Sequence, residues 1–194
     1  MYENLLDKIW TTRGCRFQAH KRLNEVSNWS TWTINILTVY IISLSILSLS
    51  PPVSYTFLSE KTGAIFMICL SITILLTSVL ENSKSYKVRA DSMHRCGKEL
   101  SFIYGEICLI RDGIVLHQIP EKLVEIDKKY QTTIDKYVDN HTDLDYNKFL
   151  AINYPKSGIS KSKKNLINLN YFFKVKGIYL LLIIIPSFIF YMLL

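Results

Sequence analysis

The residues with the chemistry to act as acids, bases, nucleophiles or ligands are few and scattered. His20, His94, His117 and His141 lie far apart, so a histidine cluster would have to be assembled by the fold. Cys15, Cys69, Cys96 and Cys108 form no C-x-x-C pair, and Cys69 stands inside an apolar run. They give neither a metal-ligand set nor a disulfide framework. The densest group is the acidic knot DNHTDLDYNKF, where Asp139, Asp143 and Asp145 surround His141. A metal or a general base is conceivable there, but a capped helix junction accounts for the same letters more simply. No glycine-rich phosphate loop, HExxH, GxSxG or repeated Cys/His pattern occurs. The chain is therefore expected to be no enzyme and to need no cofactor or metal.

A second polar set lies where lipid makes it costly. Trp32 to Ser50 contains no charged residue, and Thr62 to Leu80 contains none either. Each run approaches the ~20 residues that carry a helix across ~30 Å of hydrocarbon. In the first run Asn35, Thr38 and Ser45, with Thr31 just before it, share one helical face. Ser71, Thr77 and Ser78 add hydroxyls to the second. An amide in lipid must find a partner, and hydroxylated residues also let membrane helices approach one another. These six residues, Asn35 to Ser78, are thus candidates for a pore lining or for helix packing. Few spans per chain mean that several copies would be needed to enclose an aqueous path, so a homo-oligomer is expected.

The elements that position these residues follow from charge and periodicity. The chain has 194 residues and a formal net charge of +7. Residues 1–31 read as an amphipathic N-terminal helix, with its apolar stripe (Leu5, Leu6, Ile9, Trp10, Phe17, Leu23, Val26) broken around Arg13 and Arg16. Residues 32–80 form a transmembrane hairpin whose elbow, Pro51 to Lys61, holds one Glu and one Lys. Basic residues flank the hairpin on both outer sides, which places the N-terminus and the segment after Leu80 inside and the elbow outside. Over 81–154, Tyr86, Ala90, Met93, Gly97, Leu100, Tyr104 and Ile107 recur at helical spacing. Ile119, Leu123, Ile126, Tyr130, Ile134 and Tyr137 repeat the pattern, with breaks expected near Arg111-Asp112-Gly113 and at HQIP. Two such stripes predict a cytoplasmic helical hairpin. Arg13, Arg16, Arg89 and Asp91 are its candidate contact residues, as helix-surface or interhelical pairs.

The segment 155–176 reads as a basic juxtamembrane linker. Lys156, Lys161, Lys163, Lys164, Lys174 and Lys176 stand there with no acidic residue among them. Lysines just before an apolar tail suit anionic lipid headgroups at roughly 1 kcal/mol each; nucleic-acid binding is the less favoured use. Residues 177–194 carry no charge and read as a third, C-terminal transmembrane segment kinked at Pro186; partial insertion is the alternative. The fold class is thus an all-α, multi-pass membrane protein.

In order, the stretches RGCRFQAHKRLNEVSNWSTW, two closely spaced spans, SKSYKVRADSMHRCGKELSFIYGEI and a helix ending near NHTDLD give a recognisable arrangement. It resembles the SLATT superfamily, two-span membrane proteins of bacterial conflict systems. Arg13, Arg16, Ala19, Arg22, Leu23, Trp32, Tyr86, Arg89, Ala90 and Leu100 carry the likeness, which covers roughly residues 3 to 150. The resemblance implies an antiviral effector in the bacterial inner membrane. It would damage the envelope when a separate sensor signals infection, the sensor belonging to a nucleotide-cyclase or reverse-transcriptase system. None of these residues is a catalytic residue of the family, and the C-terminal apolar segment departs from its two-span plan. A membrane anchor that recruits another protein without conducting is the alternative function.

Overall fold

A computed structural model describes residues 2–49, 60–111 and 119–193, and these are helical almost throughout, with no strand among them. Seven helices follow in order: α1 (Tyr2–Leu49), α2 (Glu60–Lys84), α3 (Tyr86–Arg111), α4 (Ile119–Lys136), α5 (Asp143–Ile152), α6 (Lys161–Phe172) and α7 (Ile178–Leu193). Three stretches are long and apolar enough to cross a membrane, one in α1, one beginning in α2 and one ending in α7. Most of the expected elbow, and the breaks expected at Asp112-Gly113 and His117-Gln118, lie outside the described residues.

The chain forms two compact units: residues 1–24 with 87–171, and residues 25–86 with 172–194. The expected separate N-terminal helix is instead the first half of α1, which runs without a break from Tyr2 into the first span. The expected linker is also corrected. Residues 161–172 form α6, and a π-helical turn at Phe173–Gly177 leads directly into α7. Nothing between Lys161 and Gly177 breaks a helix, because the run contains no proline and its only glycine is the last residue. The possible continuity of α2 with α3 fails at one residue, Ser85, whose φ of 46° is left-handed and which interrupts the helical ladder.

The first unit is built on the stripes read from the sequence. Ile9 of α1, Cys96, Leu100, Ile103 and Ile107 of α3, and Leu123, Ile126 and Tyr130 of α4 form one buried cluster. Steps of three and four on all three helices place these residues on facing sides. Beside them, Phe149 of α5 packs edge-on against Trp10 at 4.7 Å between ring centroids, and its ring covers Gly14. In the second unit Leu37, Leu44 and Leu70 are the buried residues that join α1 to α2, flanked by Tyr40, Ile41, Phe66, Met67 and Ile74.

Candidate functional site

Within the second unit, α1 has two polar faces with different surroundings. Ser27, Ser30 and Thr33 are buried and continue into Leu37 and Leu44. Thr31, Asn35 and Thr38 are exposed, and Ser45 is half-buried. The stripe chosen from residue type is therefore the one that the chain's own helices leave uncovered. The buried Ser27, Ser30 and Thr33 escaped the sequence reading. Composition does not say which of two polar faces meets the neighbouring helix, since residues 30 and 31 differ only by the ~100° turn per residue.

Hydrogen bonding separates Asn35 from the hydroxyls. Thr38 Oγ1 donates to the Ile34 carbonyl at 2.8 Å and Ser45 Oγ to Ile41 at 2.8 Å. On α2, Ser71 Oγ donates to Met67 at 2.9 Å and Thr77 Oγ1 to Thr73 at 2.8 Å. Such bonds to the carbonyl four residues back satisfy a hydroxyl inside lipid without any partner helix. Ser71 is exposed beside Ile68, Ile72 and Leu75, while Thr77 and Ser78 are half-buried. No hydrogen bond joins the exposed Asn35 amide to the described residues. That amide carries two donors and an acceptor into an otherwise uncharged span.

The third apolar helix is fastened to the first. Tyr40 OH lies 2.6 Å from Ser187 Oγ, which itself donates to the Ile183 carbonyl at 2.7 Å. Tyr40 is therefore the donor in the first contact. Ser187 directly follows Pro186, the proline inside α7. Near the other end of that helix, Lys176 Nζ lies 3.7 Å from Glu25 Oε2 and 5.7 Å above the Trp29 ring. The pair is partly exposed and its electrostatic worth is small. Its position in the π turn nonetheless fixes which face of α7 meets α1.

The six lysines do not form one patch. Lys161, Lys163 and Lys164 stand on α6, whereas Lys174 and Lys176 lie in the π turn and belong to the other unit. Lys164 sits over the Tyr154 ring at 4.8 Å, and Lys176 is engaged as described. Lys156, Lys161, Lys163 and Lys174 are exposed.

In the first unit the basic residues of α1 are largely internal. Arg16, expected on the helix surface, is only 2% exposed. Its Nη1 donates to the Asp139 carbonyl and reaches Met93 Sδ at 3.3 Å. The apolar stripe of α1 is accordingly not broken at this residue: the aliphatic stem of Arg16 continues it. Arg22 makes a bidentate contact with Asp145, Nε to Oδ1 at 2.7 Å and Nη2 to Oδ2 at 3.0 Å. Arg13 lies over the Tyr104 ring at 4.3 Å. Arg89 Nε donates to Asp139 Oδ1 at 2.9 Å, an interhelical pair, while Asp91 pairs with Arg95 of its own helix at 2.7 Å.

The acidic knot is a helix junction. Asp145 Oδ2 accepts from the Thr142 backbone N–H and hydroxyl, both at 2.9 Å, at the start of α5. This is the carboxylate half of a capping box. Burial, with the Arg16 guanidinium next in weight, holds His141 below the ordinary imidazole pKa. Burial also pushes the Cys15 thiol up to about 12, far from the thiolate that a nucleophile needs. His20 and His94 do come together, with ring centroids 4.7 Å apart, and His20 Nδ1 lies 2.9 Å from the Ala90 carbonyl. Among the described residues no group of three or more His, Cys, Asp or Glu is placed to hold a metal ion.

Comparison with known families gives one match. The model described as SMODS and SLOG-associating 2TM effector domain family 5 fits residues 1–192, nearly the whole chain. Neither a curated protein nor a solved structure matches.

Proposed function

Because the chain belongs to the SMODS and SLOG-associating 2TM effector domain family, family 5, we propose that it is a membrane effector of an antiviral defence system. In this reading several copies assemble in the bacterial inner membrane and permeabilise it when a separate SMODS- or SLOG-type partner signals. The chain acts without enzymatic chemistry. The observation that carries the proposal is Asn35: an exposed amide, unbonded within the described residues, in a charge-free span. Lipid cannot meet its hydrogen-bonding demand. A neighbouring copy or water in an assembled path can. Exposed lysines such as Lys161, Lys163 and Lys174 add attraction to anionic headgroups, at roughly 1 kcal/mol for each one close to the surface.

Replacing Asn35 with Leu keeps the span apolar and removes the amide. An interhelical hydrogen bond in lipid is worth about 0.6–2 kcal/mol, a factor of about three to thirty per contact. Membrane leakage and toxicity in cells expressing Asn35→Leu should fall by that order, with the membrane level of the protein unchanged. Unaltered leakage at equal abundance would remove Asn35 from the path and from the assembly.

The flanking charges place the N-terminus, α3 and α4 on the cytoplasmic side and the C-terminus outside. In a cysteine-depleted background, a membrane-impermeant thiol reagent should label cysteines introduced at Ser54 or after Leu194 in intact cells, and not one at Lys128. Protection of the C-terminal cysteine despite stable insertion would refute a third full crossing.

A further inference from the structure

A groove of about 460 Å³ runs between α3 and α4 in the first unit. Its floor is apolar: Ile103 and Thr133 are buried there. Two acids, Glu99 and Glu125, and two bases, Lys128 and Lys129, share its lining. Glu99 is held by Lys136 at 2.5 Å and Glu125 by Lys129 at 3.1 Å. A surface with balanced and internally paired charges offers little to a polyanion or to anionic lipid. It suits an apolar, uncharged occupant.

The same surface carries one. Phe102 stands at the edge of the groove, 76% exposed, with Leu109 exposed one heptad further along α3. Gly105 lies between them, and a Cβ built there would meet nothing within 4 Å. A glycine inside a helix costs up to about 1 kcal/mol relative to alanine, and no contact within the chain makes use of its small size. A bulge and a hollow on one surface are what two identical subunits need to engage each other.

We infer that Phe102 of one copy packs into the α3–α4 groove of a second copy, with Gly105 allowing close approach. A buried Phe brings about 150–250 Å², so even two reciprocal contacts fall short of the roughly 1,200 Å² of a free-standing interface. The contact therefore rests on the oligomeric reading above, in which spans held in one membrane raise the effective concentration of the copies.

The test uses the full chain in native membranes with a benzophenone amino acid in place of Phe102. Illumination should give a covalent dimer whose cross-link maps to residues 125–133 of the second copy. The same probe at the fully exposed Val138 should give none. Thr132→Arg, at an exposed groove position, should cut the dimer yield about tenfold, as loss of an aromatic anchor would, with helicity and unfolding midpoint unchanged. No dimer from the Phe102 probe, or a product with a different protein, overturns the groove contact. Dye release from the same membranes separates the two readings: release without the cross-link removes only the groove, and the cross-link without release removes only permeabilisation.

Discussion

Replacing Arg22 with Ala is expected to destabilise the first unit by about 3–5 kcal/mol, the range found when one partner of a buried ion pair is removed. Asp145 is 0% exposed and accepts both arms of the Arg22 fork. Without that fork a carboxylate remains in the interior with only the Thr142 N–H and hydroxyl to serve it. Such a group is expensive to keep ionised. Domain stabilities of 5–15 kcal/mol make this a large share of the whole. Pairing Arg22→Ala with Asp145→Asn should recover part of the loss, since the amide carries no charge to strand. Denaturant unfolding of the detergent-solubilised chain, followed by circular dichroism, measures both. A loss below about 1 kcal/mol for Arg22→Ala would place the pair in the class of solvent-screened surface bridges.

Gly14→Ala should also be destabilising, by about 2 kcal/mol. Two effects oppose each other. Alanine improves helix propensity by up to about 1 kcal/mol. However, its Cβ would lie 2.1 Å from Phe149 Cε2 and 2.4 Å from Cδ2. That ring is buried and held against Trp10, so it has little room to swing aside. Overpacking a filled core costs typically about 1–3 kcal/mol, occasionally more, and a contact this close belongs at the upper end. Gly105→Ala provides the contrast: with open space around the new methyl, only the propensity gain of up to about 1 kcal/mol remains in the monomer. If both substitutions shift stability in the same direction, the packing of Phe149 over Gly14 is not what holds α5 to α1.

Much of the architecture was legible because hydropathy and period act locally. Charge-free runs mark the three spans, and steps of three and four place Leu100, Ile107, Leu123 and Ile126 in the core. The family resemblance was legible from residue order, and the match over residues 1–192 bears it out. What escaped the sequence depends on partners distant in the chain. Arg22 and Asp145 stand 123 residues apart, and nothing near either one points to the other. Arg16 looks like a surface cation by type and is buried by context. The stretch before α7 looked like a linker because lysines suggest solvent; yet lysine is a good helix former, and Ile167, Tyr171 and Val175 supply the buried side that makes α6 and the π turn fold. Only the local part of the acidic knot was readable, since Thr142 and Asp145 have the three-residue spacing of a cap.

Permeabilisation is most directly measured by dye release from liposomes that hold the purified chain at a series of densities, alone and with its candidate partner. An assembling membrane effector predicts release that climbs more steeply than the density of the protein. A partner that favours the open state should raise that release at fixed density, because control requires different affinities for the two states. Vesicles that stay sealed at every density, with and without saturating partner, would contradict the account and leave a non-conducting membrane anchor in its place.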